Sequence, residues 1–230
     1  MGMPTAATTI TMTEHGLLQL MSLLSPVFPV GGFAYSAGLE AACQSGQVAS
    51  KEDLESWINQ SLDGGTLRND VILLAETHRF AAPAEDINQL ALGLCGSAQR
   101  YHETIALGEA FVAAARPWCG AEFESLPKLS SPCAYPVAIG IVTRQLKLGE
   151  DQVLLAFLQS SVSNQLQAAL RLMSLGQIAA AELQRELEPK LLSCATSTAH
   201  RSLDDLGSHA IAMEISAMHH ETLTSRIFRS

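Results

Sequence analysis

Imidazole and thioether side chains gather near the end of the chain, where His209, Met213, His219 and His220 form a set of the kind that binds borderline metal ions. On a helix His209 and Met213 share a face, but His219 and His220 diverge by about 100°. The spacing makes no tight three-ligand group and reads as an ordinary helix face. Arg100, His102 and Glu103 bring acid and base together, yet RYHETIALGEAF (residues 100–111) has the period of an amphipathic helix carrying them on its polar side. Cys43, Cys95, Cys119, Cys133 and Cys194 are widely spaced and form no CxxC pair, which argues against a disulfide framework or a structural zinc site. Neither GxSxG nor HExxH occurs. Bond-making chemistry has little support, and the expectation is a protein that is not an enzyme, with no catalytic, metal or cofactor residues.

Two other stretches stand out. SPVFPVGGFAYSAGLE (residues 25–40) combines prolines that extend the chain with a Gly31-Gly32 pair free to adopt positive φ. A phosphate loop would need a lysine beside the glycines, and the first lysine of the chain is Lys51. The ending HHETLTSRIFRS (residues 219–230) sets Ile227 and Phe228 between Arg226 and Arg229. Arg and Phe are common anchors in protein interfaces, and such an end frays unless something holds it, either a partner or its own core.

The elements positioning these stretches read as helices. Hydrophobic residues make up 47% of the 230-residue chain and aromatics only 5%, a balance that suits packed helices better than a β-sandwich. Periodicity and caps predict a first helix up to Ser25, a short one from Ser36 to Gly46, and one capped by Ser50 and ended by Gly64-Gly65. Others are expected over 67–80, 84–94, 97–115, 135–148, 151–172, 175–192 and 208–223. The result is an all-α, single-domain bundle of roughly ten helices. Residues 1–13 form a flexible N-terminal tail, 14–222 the helical domain and 223–230 a mobile C-terminal tail. Residues 117–136, with four prolines, are the least regular part. A net charge of −9 without any basic cluster argues against nucleic acid. No apolar run reaches the roughly 18 residues a membrane span needs, and a cytoplasmic location is expected.

Together these motifs resemble the UreF family of urease accessory proteins. The likeness rests on FPVGGFAYSAGLE (28–40), RYHETIALGEAF (100–111), YPVAIGIV (135–142), LGQIAAAEL (175–183) and HETLTSRIFRS (220–230), in family order. Phe33 and Ala34 stand where the family carries an aromatic and a small or polar residue, a mild departure. The resemblance implies a homodimeric, non-enzymatic scaffold that binds UreD (also called UreH) and the GTPase UreG, docks on apo-urease and supports GTP-dependent nickel delivery. Nickel and GTP would be handled by the partners, with no tightly bound cofactor here. The partner-binding residues it implies are Pro29, Gly31, Gly32, Phe33, Tyr35, Ser36, Gly38 and Glu40 in the loop. In the tail they are His220, Glu221, Arg226, Phe228 and Arg229, with Arg226 matching the arginine of the closing R-[LI]-[FY]-x-S motif. The alternative is a regulator of UreG hydrolysis using an arginine finger, for which Arg100, Arg144, Arg226 and Arg229 are eligible. A third reading, a nickel chaperone using its own histidines and cysteines, lacks a proper ligand set.

Overall fold

Ser50 starts the most clearly signalled helix, because its hydroxyl accepts from the Asp53 amide while the Asp53 carboxylate accepts from the Ser50 amide. Such a reciprocal cap is worth about 1 kcal/mol. Helix α3 (Lys51–Gly64) then buries Leu54, Trp57, Ile58 and Leu62 along one face. The computed structural model describes residues 14–230; the tail expected over residues 1–13 lies outside the described residues. Ahead of α3 come α1 (Glu14–Leu23) and α2 (Leu39–Gln44). After it come α4 (Thr66–Arg79), α5 (Ala84–Gly93), α6 (Ala98–Cys119), α7 (Tyr135–Gln145), α8 (Glu150–Leu172), α9 (Gln177–Thr198) and α10 (Ile211–His220). Among the described residues there is no strand.

The middle of the bundle is α4 and α7, each buried on all sides through its centre, over residues 71–77 in α4 and 136–143 in α7. Helix α7 packs between α4 and α6, and α8 pairs with α4 and α9. Close contact between α4 and α7 requires Gly140, where an added Cβ would stand 2.7 Å from the Thr77 Cβ. One continuous apolar core runs from α1 to Phe228, which makes the chain a single domain.

Several boundaries differ from the expected ones. Helix α6 passes through Pro117 to Cys119 because Trp118 stacks edge-on against Phe28, at 5.5 Å, and Cys119 is buried. That packing outweighs the one backbone bond a proline removes near a helix end. Helix α9, through Pro189 as expected, likewise runs on beyond Leu192, since Leu187, Leu191, Cys194, Ala195 and Thr198 extend the buried face to its last turn. Helix α10 is shorter than expected, because the His209 amide bonds the Gly64 carbonyl at 2.9 Å instead of entering a helix. The proline-rich stretch is not a linker. Asn88, fully buried, donates to the Pro132 carbonyl (3.0 Å) and accepts from the Ala134 amide (2.8 Å), tying that stretch to α5.

Candidate functional site

The glycine loop is anchored at its start by Phe28, buried against Phe111 (5.4 Å) and Trp118. Beyond it the chain turns at Gly31 (φ +77°), forms one short 3₁₀ turn over Gly32–Ala34, and turns again through Ala37 and Gly38 (φ +53° and +82°) into α2. Phe33 is left exposed while Ser36, Gly38 and Glu40 point inward.

Across these inward residues lies the C-terminal segment. Expected as a mobile tail, it packs instead on the body and closes onto the loop. The buried Glu40 carboxylate accepts from three donors: the Ile227 amide on Oε1 (2.7 Å), and the Phe228 amide (3.0 Å) and His220 Nε2 (2.9 Å) on Oε2. The Arg229 amide donates to the Ala34 carbonyl, and the Ser36 amide donates to the Ser230 main-chain oxygen, each at 2.7 Å. From the last turn of α8, Arg171 donates to the Phe33 carbonyl (3.1 Å) and lies over the Phe228 ring, 4.4 Å from its centre. Cation–π contacts of this kind contribute about 0.5–1 kcal/mol at exposed positions. Phe228 itself is 4% exposed and belongs to the core.

Beneath the tail sits a charge cluster in which Glu103 is buried and Arg100 and Asp70 are half-buried. The Ser230 hydroxyl donates to Glu103 Oε2 (3.0 Å), and Arg100 pairs with Asp70 and, at 3.7 Å, with Glu103. Burial pushes the Asp70 and Glu103 carboxyls above their ordinary range, and Arg100 only partly opposes this, as expected when two acids share one guanidinium. At Glu40 burial also acts upward, but the Ile227 amide, the His220 ring and the Phe228 amide outweigh it, and its pKa is lowered.

The residues predicted for the site therefore divide in two. Ser36, Gly38, Glu40, His220 and Phe228 are buried and hold loop and tail together. Pro29, Gly31, Phe33, Glu221, Arg226 and Arg229 are exposed, with Gly32 and Tyr35 half-buried. An open cleft of about 630 Å³ runs beside them, lined by Tyr35, Gln99, His102, Ile105, Arg226 and Arg229. Arg171 and Ser230 were missed, since nothing in their local sequence announces the contact. His209 sits on Gly64 and His220 on Glu40, so the C-terminal histidines do not converge. Among the described residues no group of three His, Cys, Asp or Glu side chains is placed to hold a metal ion.

The architecture defines an all-helical protein whose distinctive surface is a loop and a tail locked together. Residues 48–188 match the UreF family model. The chain is 44% identical to "Urease accessory protein UreF 1" of Brucella anthropi, covering 97% of this chain and 98% of that protein. It is 42% identical to "Urease accessory protein UreF" of Allorhizobium ampelinum, over 96% and 100% of the two chains, and 43% identical to the same-named protein of Rhizobium etli, over 94% and 97%. The chain belongs to the UreF family of urease accessory proteins.

Proposed function

We propose that this chain acts in urease maturation as a cytoplasmic, homodimeric scaffold, binding UreD/UreH and recruiting the GTPase UreG for GTP-dependent nickel insertion into apo-urease. It has no catalytic residues in this reading, and nickel and GTP belong to its partners. The observation carrying it is the joining of the two family-specific segments: Tyr35 of the loop and Arg226 and Arg229 of the tail line one open cleft, backed by buried hydrogen bonds. Aromatic and guanidinium groups on a backbone held by hydrogen bonds suit a contact surface, because little backbone freedom remains to be lost on binding. Among the described residues no helix is long and apolar enough to cross a membrane. The test is capture of UreD, UreG and apo-urease by the full chain and by residues 1–222. Loss of UreD and UreG by the shortened, still helical chain is the expected result; undiminished capture overturns the reading.

The alternative, a finger acting on UreG hydrolysis, is narrowed by the structure. Arg100 is half-buried and paired with two carboxylates, whereas Arg144, Arg226 and Arg229 are exposed. Arg→Ala variants at those three positions distinguish the readings, since a finger alters turnover within an intact complex.

A further inference from the structure

The two central helices end side by side, and each ends on a residue where glycine is the usual choice. Helix α4 turns off at Phe80 (φ +59°) and α7 at Lys147 (φ +56°). In both, the next amide reaches back across the turn, Ala81 to the Glu76 carbonyl (3.1 Å) and Leu148 to the Thr143 carbonyl (3.0 Å). Helix endings of this form favour glycine, because a side chain at positive φ crowds its own backbone. The two turns are tied together: His78 Nε2 donates to the Leu148 carbonyl (3.1 Å), and Arg144 donates to the His78 carbonyl (3.0 Å).

Cations at these ends need no special reason, since Arg144 and Lys147 face the negative poles of their helices. Phe80 does. Its ring is 56% exposed and outside the continuous core, yet it occupies the left-handed region that a bulky residue avoids. The Arg144 guanidinium lies 4.7 Å from its centre. Among the described residues neither Arg144 nor Lys147 meets a carboxylate; Glu76 and Glu150 are held by Arg79, and Glu122 by Gln145. The glycine loop lies at the other end of α4, about 20 Å away by helix rise, where Thr66 and Leu67 line a small cavity with Tyr35 and Ser36.

We propose that Phe80, Arg144 and Lys147 form a second contact surface, separate from loop and tail, that takes a carboxylate-rich segment of a partner polypeptide. The ring supplies apolar area and fixes Arg144, and the two cations receive the acids. On a chain of net charge −9, two unpaired cations beside an exposed ring complement an acidic segment. This inference rests on the scaffold reading for the existence of such a partner, but the binding is tested without one.

The experiment is an amide NMR titration of the full chain with hexaglutamate at 0.1 M salt, repeated at 1 M salt and with tripolyphosphate at equal charge. Saturable shifts, largest at residues 78–81 and 144–148, are expected. They vanish at 1 M salt, where the screening length falls from about 10 Å to about 3 Å. In Arg144→Ala/Lys147→Ala the affinity drops at least about threefold, the scale of two exposed ion pairs. Phe80→Gly also weakens binding, yet its urea midpoint is no lower than that of the wild type, because the ring is not there for the fold. Four results overturn the proposal: shifts no larger at these residues than around exposed Lys128 and Arg185, unchanged affinity in the double variant, a response to tripolyphosphate but not to hexaglutamate, or a lowered midpoint for Phe80→Gly. Full partner capture by residues 1–222 instead removes the scaffold reading and leaves this surface to be judged by the titration.

Discussion

Gly38→Ala tests whether the loop is built against α10 as described. Gly38 has φ +82°, and a Cβ placed there would meet Ala217 of α10 at 3.0 Å from its nitrogen and 3.2 Å from its Cα. Two costs follow. An L-residue in the left-handed region loses about 1–2 kcal/mol, and forcing a methyl into a filled contact loses about 1–3 kcal/mol more. The sum, about 2–5 kcal/mol, is a large part of the 5–15 kcal/mol typical of a folded domain. Because the atoms met are helix backbone, relief comes by moving α10, which carries His220 away from Glu40 and loosens the tail. Gly31→Ala supplies the control: φ is +77°, but nothing lies within 4 Å of its Cβ position, so only the first cost applies. Urea unfolding followed by circular dichroism, with amide exchange at residues 227 and 228, measures both effects. Gly38→Ala is expected to lose clearly more stability than Gly31→Ala and to expose the tail amides. Equal losses within about 0.5 kcal/mol, the scatter of surface substitutions, would refute the packing of loop on α10.

Arg100→Ala leaves the buried Glu103 and half-buried Asp70 carboxyls without their counter-charge and should cost up to about 3 kcal/mol in urea unfolding, more than exposed Arg144→Ala. Asn88→Ala strands the Ala134 amide and should lower the unfolding midpoint while raising proteolysis within residues 120–134. Glu85 is held down to about 2 by the Gln89 side chain and by the Ser130 hydroxyl and amide. A depressed carboxyl stabilises the fold above its unfolded pKa and loses that contribution as pH falls through its folded one. The destabilisation caused by Glu85→Gln should therefore be full above about pH 5 and shrink toward pH 2. Burial pushes the Cys133 thiol up to about 12 and the Cys43 thiol up to about 11, and in the native protein both should resist alkylation at pH 8 that proceeds readily in urea.

The helices were legible because their signals are local. Ser50 and Asp53 announce a cap, and Leu54, Trp57, Ile58 and Leu62 a buried face, within a span of residues short enough to read directly. The helix ends expected at Ala115 and Leu192 fall short of Cys119 and Thr198 because the last turns depend on Trp118 meeting Phe28 and on Cys194 meeting the core, which local propensity does not contain. The candidate site was half legible. Both stretches were identifiable by composition and family likeness, but their union depends on contacts such as Glu40 to Phe228, 188 positions apart. The conformation of the tail followed the same rule: an Arg/Phe-rich end looks mobile until the buried carboxylate that receives it is known.

The central claim is that loop and tail together form the surface that captures urease accessory partners. Its most direct test is titration of UreD, then UreG, into the wild type and into Arg226→Ala/Arg229→Ala, a variant that removes two exposed guanidiniums and leaves the Glu40 hydrogen bonds in place. The account predicts at least about tenfold weaker assembly, the scale of an interface anchor, with an unchanged unfolding midpoint. Wild-type affinity for both partners in the double variant would contradict it.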